Sequence, residues 1–248
     1  MALEVIFGSI FGSALGSFAN LCIDRVPAEQ SILRPPSHCD GCGRRLAPSE
    51  LVPVISYLVA RGSCKSCGIR IPGRVLLVEG LMAGILGYIA IEYGLGLEMA
   101  ALSIYALTFI TLFFADLEKG ILPNRIVYPA LLAALGFSLF LPEVSLLGAL
   151  LGGLLGFVVL LAIYLLSRGG MGEGDVKLGA LVGLATGFPT LFPALIIAAI
   201  GGGVVAVSLL ALRQKRPHDS VPFGPFLVTG AMAALLFGGP ILSGWQHL

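Results

Sequence analysis

Long apolar stretches alternate with short polar connections along the whole chain. A helix that crosses a hydrocarbon core of roughly 30 Å needs about 20 mostly apolar residues, so this pattern predicts an all-α polytopic membrane protein with about eight transmembrane helices. The sixth stretch is too short to span alone. We expect its helix to begin at or before Asp175 and to end at the break at 187–189, and a re-entrant segment is the alternative. The predicted spans are 5–23, 75–91, 97–115, 126–141, 146–166, 178–187, 191–212 and 221–242.

The composition agrees with this pattern. Of the 248 residues, 57% are hydrophobic and 12% are charged, which excludes an ordinary soluble domain. The net charge is +1, and no basic run is long enough to bind nucleic acid. No positively charged segment precedes the first apolar stretch, so we interpret that stretch as a retained helix and not as a cleaved signal peptide.

Positive charges fall in every second connection, and this orients the helices. Eight Lys and Arg residues lie in 24–74, whereas the connections 92–98 and 142–145 have none. Basic connections stay in the cytoplasm, so we predict a first transmembrane helix at 1–23, a cytoplasmic domain at 24–74 and a membrane core at 75–248, with both termini outside. The remaining basic residues are Lys119, Arg125, Arg168, Lys177, Arg213, Lys215 and Arg216.

Four cysteines form two Cys-x-x-Cys pairs in this cytoplasmic domain. Cys39 and Cys42 are separated from Cys64 and Cys67 by 21 residues, which fits a tetrahedral four-thiolate zinc site. A domain of about 50 residues builds a poor core unaided, so the metal would supply folding free energy. Disulfides and thioredoxin-like redox chemistry are the alternatives, and a cytoplasmic location disfavours stable disulfides. Because four thiolates leave no open coordination position, the zinc would be structural.

Glycines recur at four-residue spacing in three of the apolar stretches. In lipid, such ridges let helix backbones approach closely. A cofactor-binding glycine loop would instead need a strand-to-helix turn, which the pattern lacks. We therefore expect close helix packing at Gly8, Gly12 and Gly16, at Gly148, Gly152 and Gly156, and at Gly179, Gly183 and Gly187.

Asp116 and Asp175 each lie where an apolar stretch meets a charged connection, and Asp175 ends the run Gly-Glu-Gly-Asp. Ionisable groups in membrane segments are costly and usually mark a functional site. The predicted topology places both on the cytoplasmic side. Two close carboxyl groups share a proton, so one can activate water while the other polarises a carbonyl. Glycines at 172 and 174 would let an extended peptide approach Asp175 closely. The alternative is that both aspartates are interfacial helix caps.

Other hydrolytic chemistries lack their residues. The three histidines lie in connections or at the terminus, and neither Gly-x-Ser-x-Gly nor His-Glu-x-x-His occurs. One further carboxylate, Glu79, lies one turn into the second predicted span, where it could pair with Arg74 or bind a basic segment of a substrate.

Taken together, the motifs resemble the type IV prepilin peptidase family, the bifunctional leader peptidases and N-methyltransferases of pilus and type II secretion systems. Segment 17–27 resembles the first-helix motif of the family, and the cysteine pairs with 51–58 between them resemble its cytoplasmic domain. Asp116 with 121–124 resembles the first catalytic motif, and 172–178 resembles the second. Gly-x-Gly-Asp alone would also suit presenilin-like intramembrane proteases.

The resemblance implies an aspartic endopeptidase of the bacterial inner membrane, with Asp116 and Asp175 catalytic at the cytoplasmic face of the lipid bilayer. Its substrate would be a type IV prepilin or pseudopilin, cleaved after a glycine at the membrane boundary. The new N-terminal residue, typically phenylalanine, would be methylated from S-adenosylmethionine, whose binding site and the oligomeric state the sequence does not indicate. A peptidase without methyl transfer and a non-enzymatic zinc-bearing scaffold or transporter are the alternatives.

Overall fold

The structure of this protein is a computed structural model, and the regular elements in its described residues are helices. It describes residues 2–141, 144–167, 170–212 and 222–245. Parts of the predicted topology lie outside those residues, namely 142–143, Arg168, the cluster 213–216 and the start of the last span at 221. Within the described ranges there is no strand. The α-helices are α1 (Ala2–Arg25), α2 (Ile55–Val59), α3 (Gly73–Tyr93), α4 (Leu97–Lys119), α5 (Asn124–Ser138), α6 (Leu146–Leu166), α7 (Glu173–Thr186), α8 (Leu191–Ala211) and α9 (Gly224–Trp245).

Helices occupy the eight predicted spans, but five of the described helices are both long and apolar enough to cross a membrane: α1, α3, α4, α6 and α8. By contrast, α7 has 14 residues and α5 has 15. At about 1.5 Å per residue, α7 is roughly 21 Å long, which is less than a hydrocarbon core of about 30 Å. The all-helical membrane class is confirmed, whereas the count of eight spans stays a prediction.

The first of two compact units is Met1–Thr111. In it, α1 packs along α3 through the glycine ridge of α1. A Cβ atom on Gly8 would lie 2.6 Å from the carbonyl oxygen of Leu86, and one on Gly16 would lie 2.7 Å from Cα of Glu79. Only glycine permits this approach of the two backbones, as the spacing of the ridge predicted.

The second unit is Leu112–Leu248, and α7 is its central helix. It contacts α5, α6, α8 and α9. Two glycines of α6 and two of α7 meet so closely that a methyl group on any of them would collide with the facing helix; they are Gly152, Gly156, Gly179 and Gly183. Because neighbouring helices surround α7, the residues of its first turn are held among packed elements.

Candidate active site

Asp175 lies in the first turn of α7 and is 6% exposed. Its Oδ2 accepts a hydrogen bond of 3.2 Å from the N–H of Gly172, the residue that precedes the helix. Asp175 therefore caps the helix with one oxygen. The other oxygen, Oδ1, is buried without a hydrogen-bond partner. A buried oxygen without a partner is costly. Helix capping therefore accounts for Oδ2 of this carboxylate but not for the burial of Oδ1.

Asp116 lies in the last turn of α4 and is 7% exposed. The backbone N–H of Gly224, at the start of α9, hydrogen-bonds to its carboxylate. Its Oδ2 is buried without a hydrogen-bond partner. The backbone of α9 also closes over this group, since a Cβ atom on Gly224 would lie 2.5 Å from Oδ2. Asp116 thus repeats the arrangement at Asp175, with one glycine N–H as donor and one oxygen left over.

The two carboxyl groups are close enough for their charges to interact. The structure thus brings together the two aspartates that the sequence singled out, from the end of one helix and the start of another. Two buried carboxyl groups whose charges interact cannot easily both ionise, and this is the property that an aspartic dyad requires.

The connection between α4 and α5 and the first residue of α5 contact the N-terminal part of α7. Leu122 covers Gly174, where an added Cβ atom would lie 3.0 Å from Cβ of Leu122. Nζ of Lys177 donates a hydrogen bond of 3.2 Å to Oδ1 of Asn124. These contacts correct one expectation: the side of Gly174 that we expected to stay open for a peptide is filled by Leu122. The exposed glycine of the motif is instead Gly172.

Gly224 is the residue of this site that the sequence reasoning missed. It stands in the run Pro-Phe-Gly-Pro, between Pro222 and Pro225. A glycine between two prolines at the start of a helix indicates that the backbone geometry there is restricted. That local signal was available, but its partner Asp116 lies far away in the sequence and only the fold joins them.

The four cysteines converge in the first unit, which confirms that they form one cluster. Their Sγ atoms all lie within 4.8 Å of one another, and those of Cys39 and Cys67 are 3.7 Å apart. Tetrahedral zinc with Zn–S bonds of about 2.3 Å would place the sulfurs about 3.8 Å apart. The cysteines are free thiols, so the donor set and its spacing fit a metal ion.

Both cysteine pairs form the same local structure. The N–H of Gly43 donates to the carbonyl oxygen of Cys39 at 2.8 Å, and the N–H of Gly68 donates to that of Cys64 at 2.9 Å. Gly43 has φ 66° and Gly68 has φ 73°, in the left-handed region that favours glycine. The glycine after each pair therefore turns the chain so that the two thiols point to one centre.

Two further groups of hydrogen bonds lie at this cluster, one at Cys64 and one between Arg44 and Glu50. The N–H groups of Cys67 and Ser66 hydrogen-bond to Sγ of Cys64 and lower the pKa of that thiol to about 6, whereas burial and the neighbouring thiols raise the pKa of Cys67 to about 11. Cys64 is thus the thiol whose surroundings favour the metal-binding thiolate at neutral pH. Arg44 forms two hydrogen bonds with Glu50, at 3.0 and 2.9 Å. Chiefly because of Arg44, the pKa of Glu50 is lowered to about 2, so the pair remains charged across the physiological range.

Comparison with known proteins agrees with these features. Residues 10–93 match the model of the bacterial peptidase A24 N-terminal domain, and residues 102–207 match that of the type IV leader peptidase family. The chain is 35% identical to the prepilin leader peptidase/N-methyltransferase of Bacillus subtilis (97% of this chain, 96% of the relative). It is 33% identical to that of Dichelobacter nodosus (96% and 93%) and 30% identical to that of Pseudomonas aeruginosa (94% and 90%). No solved structure matches the chain. With such similarity over nearly its full length, the chain belongs to the type IV prepilin peptidase family.

Proposed function

We propose that the chain removes the leader peptide of type IV prepilins or pseudopilins by aspartic catalysis at Asp116 and Asp175. The observation that supports this most is a pair of buried carboxyl groups on separate helices, close enough to interact, each with an oxygen that has no partner. The relatives are named prepilin leader peptidase/N-methyltransferase, which supports the substrate class and membership among enzymes. The same names argue against the alternative of a non-enzymatic scaffold or transporter.

The proposed reaction uses one ionised and one protonated carboxyl group. The ionised group takes a proton from a water molecule as the water oxygen attacks the scissile carbonyl carbon, and the protonated group gives its proton to the carbonyl oxygen. A tetrahedral intermediate results. Its C–N bond breaks as the amide nitrogen receives the proton held by the first carboxyl group, and the hydroxyl proton returns to the second. The leader leaves with a new carboxyl terminus, the pilin gains a free amino terminus, and no acyl-enzyme forms.

We place this reaction at the cytoplasmic face of the bacterial inner membrane. A basic connection follows the helix of Asp116, and Arg168 and Lys177 lie on either side of Asp175 in the sequence. Basic connections stay in the cytoplasm. Both aspartates lie at ends of apolar helices. A substrate could therefore keep its apolar helix in the bilayer and its basic leader in the cytoplasm, with the scissile bond at the boundary.

The cysteine cluster would hold one structural zinc ion through Cys39, Cys42, Cys64 and Cys67. With all four positions occupied by thiolates, the metal would stabilise the fold of the cysteine lobe, residues 24–74, and leave no site for a reacting water. Methyl transfer from S-adenosylmethionine to the new amino terminus is proposed from the names of the relatives, and we assign no residue to it.

Purified protein in lipid vesicles with a synthetic prepilin tests this proposal, with mass spectrometry of the products. We expect leader removal with or without S-adenosylmethionine, and an added methyl group only in its presence. The Asp175→Asn variant should insert normally and leave the prepilin intact. Cleavage by that variant at the wild-type rate would reject the aspartic mechanism, and an unmethylated product would leave a peptidase without methyl transfer.

A further inference from the structure

Between the two cysteine pairs lies a segment without charged residues, 51–60, in which α2 forms. Several of its large apolar side chains are exposed. Ile55 and Leu58 are each 60% exposed and Val59 is 68% exposed. Positions three and four apart share one face of a helix. Leu51 and Val52, shortly before α2, are 45% and 42% exposed. In a connection between membrane helices, exposed apolar side chains of this kind mark an interaction site.

A hydrogen bond fixes this segment beside α3. The N–H of Val54, immediately before α2, donates to Oε2 of Glu79 at 2.6 Å, and Glu79 is 4% exposed. Val54 has φ 62°, which is disfavoured for a β-branched residue, so the contact holds the backbone in a conformation that it would otherwise leave. Arg74, the partner that the sequence suggested for Glu79, pairs with Asp24 at 2.7 Å.

Glu79 also sets the depth of the segment. With 21 residues, α3 is about 31 Å long, close to the thickness of the hydrocarbon core. Glu79 follows the first residue of α3, Gly73, by six positions, which corresponds to about 9 Å along the helix axis. The start of α2 therefore lies level with the second turn of α3, a helix long and apolar enough to cross a membrane, about 9 Å from the end at which α3 begins.

We propose that the segment 51–60 lies in the membrane interface with its apolar face in contact with lipid. The exposed Arg61 follows this segment directly, where it would meet lipid phosphates, as basic residues beside interfacial apolar faces do. The lobe with the cysteine cluster is thus attached to the bilayer at a third place besides α1 and α3. This inference concerns the surface of the lobe and does not depend on the chemistry of the aspartates.

Tryptophan fluorescence in lipid vesicles tests the proposal. In a Trp245→Phe background, which removes the single native tryptophan, Leu58→Trp probes the apolar face and Lys65→Trp is the matched control on the exposed tip of a cysteine pair. Phosphatidylcholine with bromine on its acyl chains should quench the first variant several-fold more than the second. Aqueous acrylamide should show the reverse order.

Equal bromolipid quenching of the two variants would overturn the proposal. So would protection of position 58 from both quenchers, because protein, such as a second copy of the chain, would then cover the face. Val59→Trp repeats the measurement on the same face if Leu58→Trp is not correctly folded, as judged by its thermal unfolding.

Discussion

Replacing Gly224 with alanine adds one methyl group beside Asp116 and leaves both aspartates in place. The new Cβ atom would lie 2.5 Å from Oδ2 of Asp116, 3.1 Å from its Cγ and 3.3 Å from its Cβ. Ordinary contacts of this kind begin at 3.4 Å, so the carboxylate or the start of α9 must move by about 0.9 Å. Gly224 is not among the residues with positive φ, so alanine is compatible with its backbone and the fold should form.

The displaced atom is the oxygen of Asp116 that lacks a partner, which we expect to hold the attacking water. A misplacement of about 1 Å at a reacting centre can lower the rate about 10²-fold. At about 1.36 kcal/mol for each factor of ten, this corresponds to roughly 2.7 kcal/mol of lost transition-state stabilisation. We therefore expect Gly224→Ala to lower kcat for leader removal by about two orders of magnitude.

The assay is the initial rate of prepilin cleavage in lipid vesicles, with Gly203→Ala as the matched control. Gly203 lies in α8, where an added Cβ atom meets nothing within 4 Å, so this variant should cleave at the wild-type rate. Wild-type cleavage by Gly224→Ala would refute the argument that the start of α9 positions Asp116.

Three further outcomes follow from the cysteine lobe and the helix contacts. Elemental analysis should find about one zinc per chain, lost in Cys39→Ser and kept in Cys22→Ser; zinc retained by the first variant would exclude that thiolate as a ligand. Arg44, which Glu50 holds in place, also interacts with Cys64, so Glu50→Gln should release zinc to a chelator several-fold faster than the wild type. Since the lowered pKa of Glu50 is about 2, its contribution is present above its usual value of about 4.3 and is lost only as the pH falls towards 2. The difference between variants should therefore be constant from about pH 5 to 8, and a difference that vanished at pH 5 would contradict this. Gly183→Ala, which would strike the backbone of α6, should destabilise the protein by about 1–3 kcal/mol in thermal unfolding, whereas Gly136→Ala, in open space, should not.

The helices could be predicted because their signal is local. The apolar run at 97–115 predicted α4, which the structure extends to Lys119 so that Asp116 falls inside its last turn. Because the sixth apolar stretch is too short alone, its helix was predicted to begin at or before Asp175, and α7 begins at Glu173. Length alone did not settle how many helices cross the bilayer, because α5 and α7 are shorter than the hydrocarbon core.

The features that could not be predicted depend on contacts between distant residues. Spacing predicted the cysteine cluster because one metal geometry restricts where four thiols can lie. No comparable rule pairs Gly224 with Asp116, or Val54 with Glu79. Both are contacts of a backbone N–H with a buried carboxylate. Since every residue except proline has a backbone N–H, the order of side chains does not indicate which N–H makes such a contact.

The central claim is that Asp116 and Asp175 act as one unit. The most direct measurement compares prepilin cleavage rates of Asp116→Asn, Asp175→Asn and the double variant, all inserted in vesicles at equal amounts. Residues that act together show strongly non-additive losses, so we predict that each single variant falls to the level of the double variant. Losses that add, or a single variant that retains wild-type cleavage, would contradict the account.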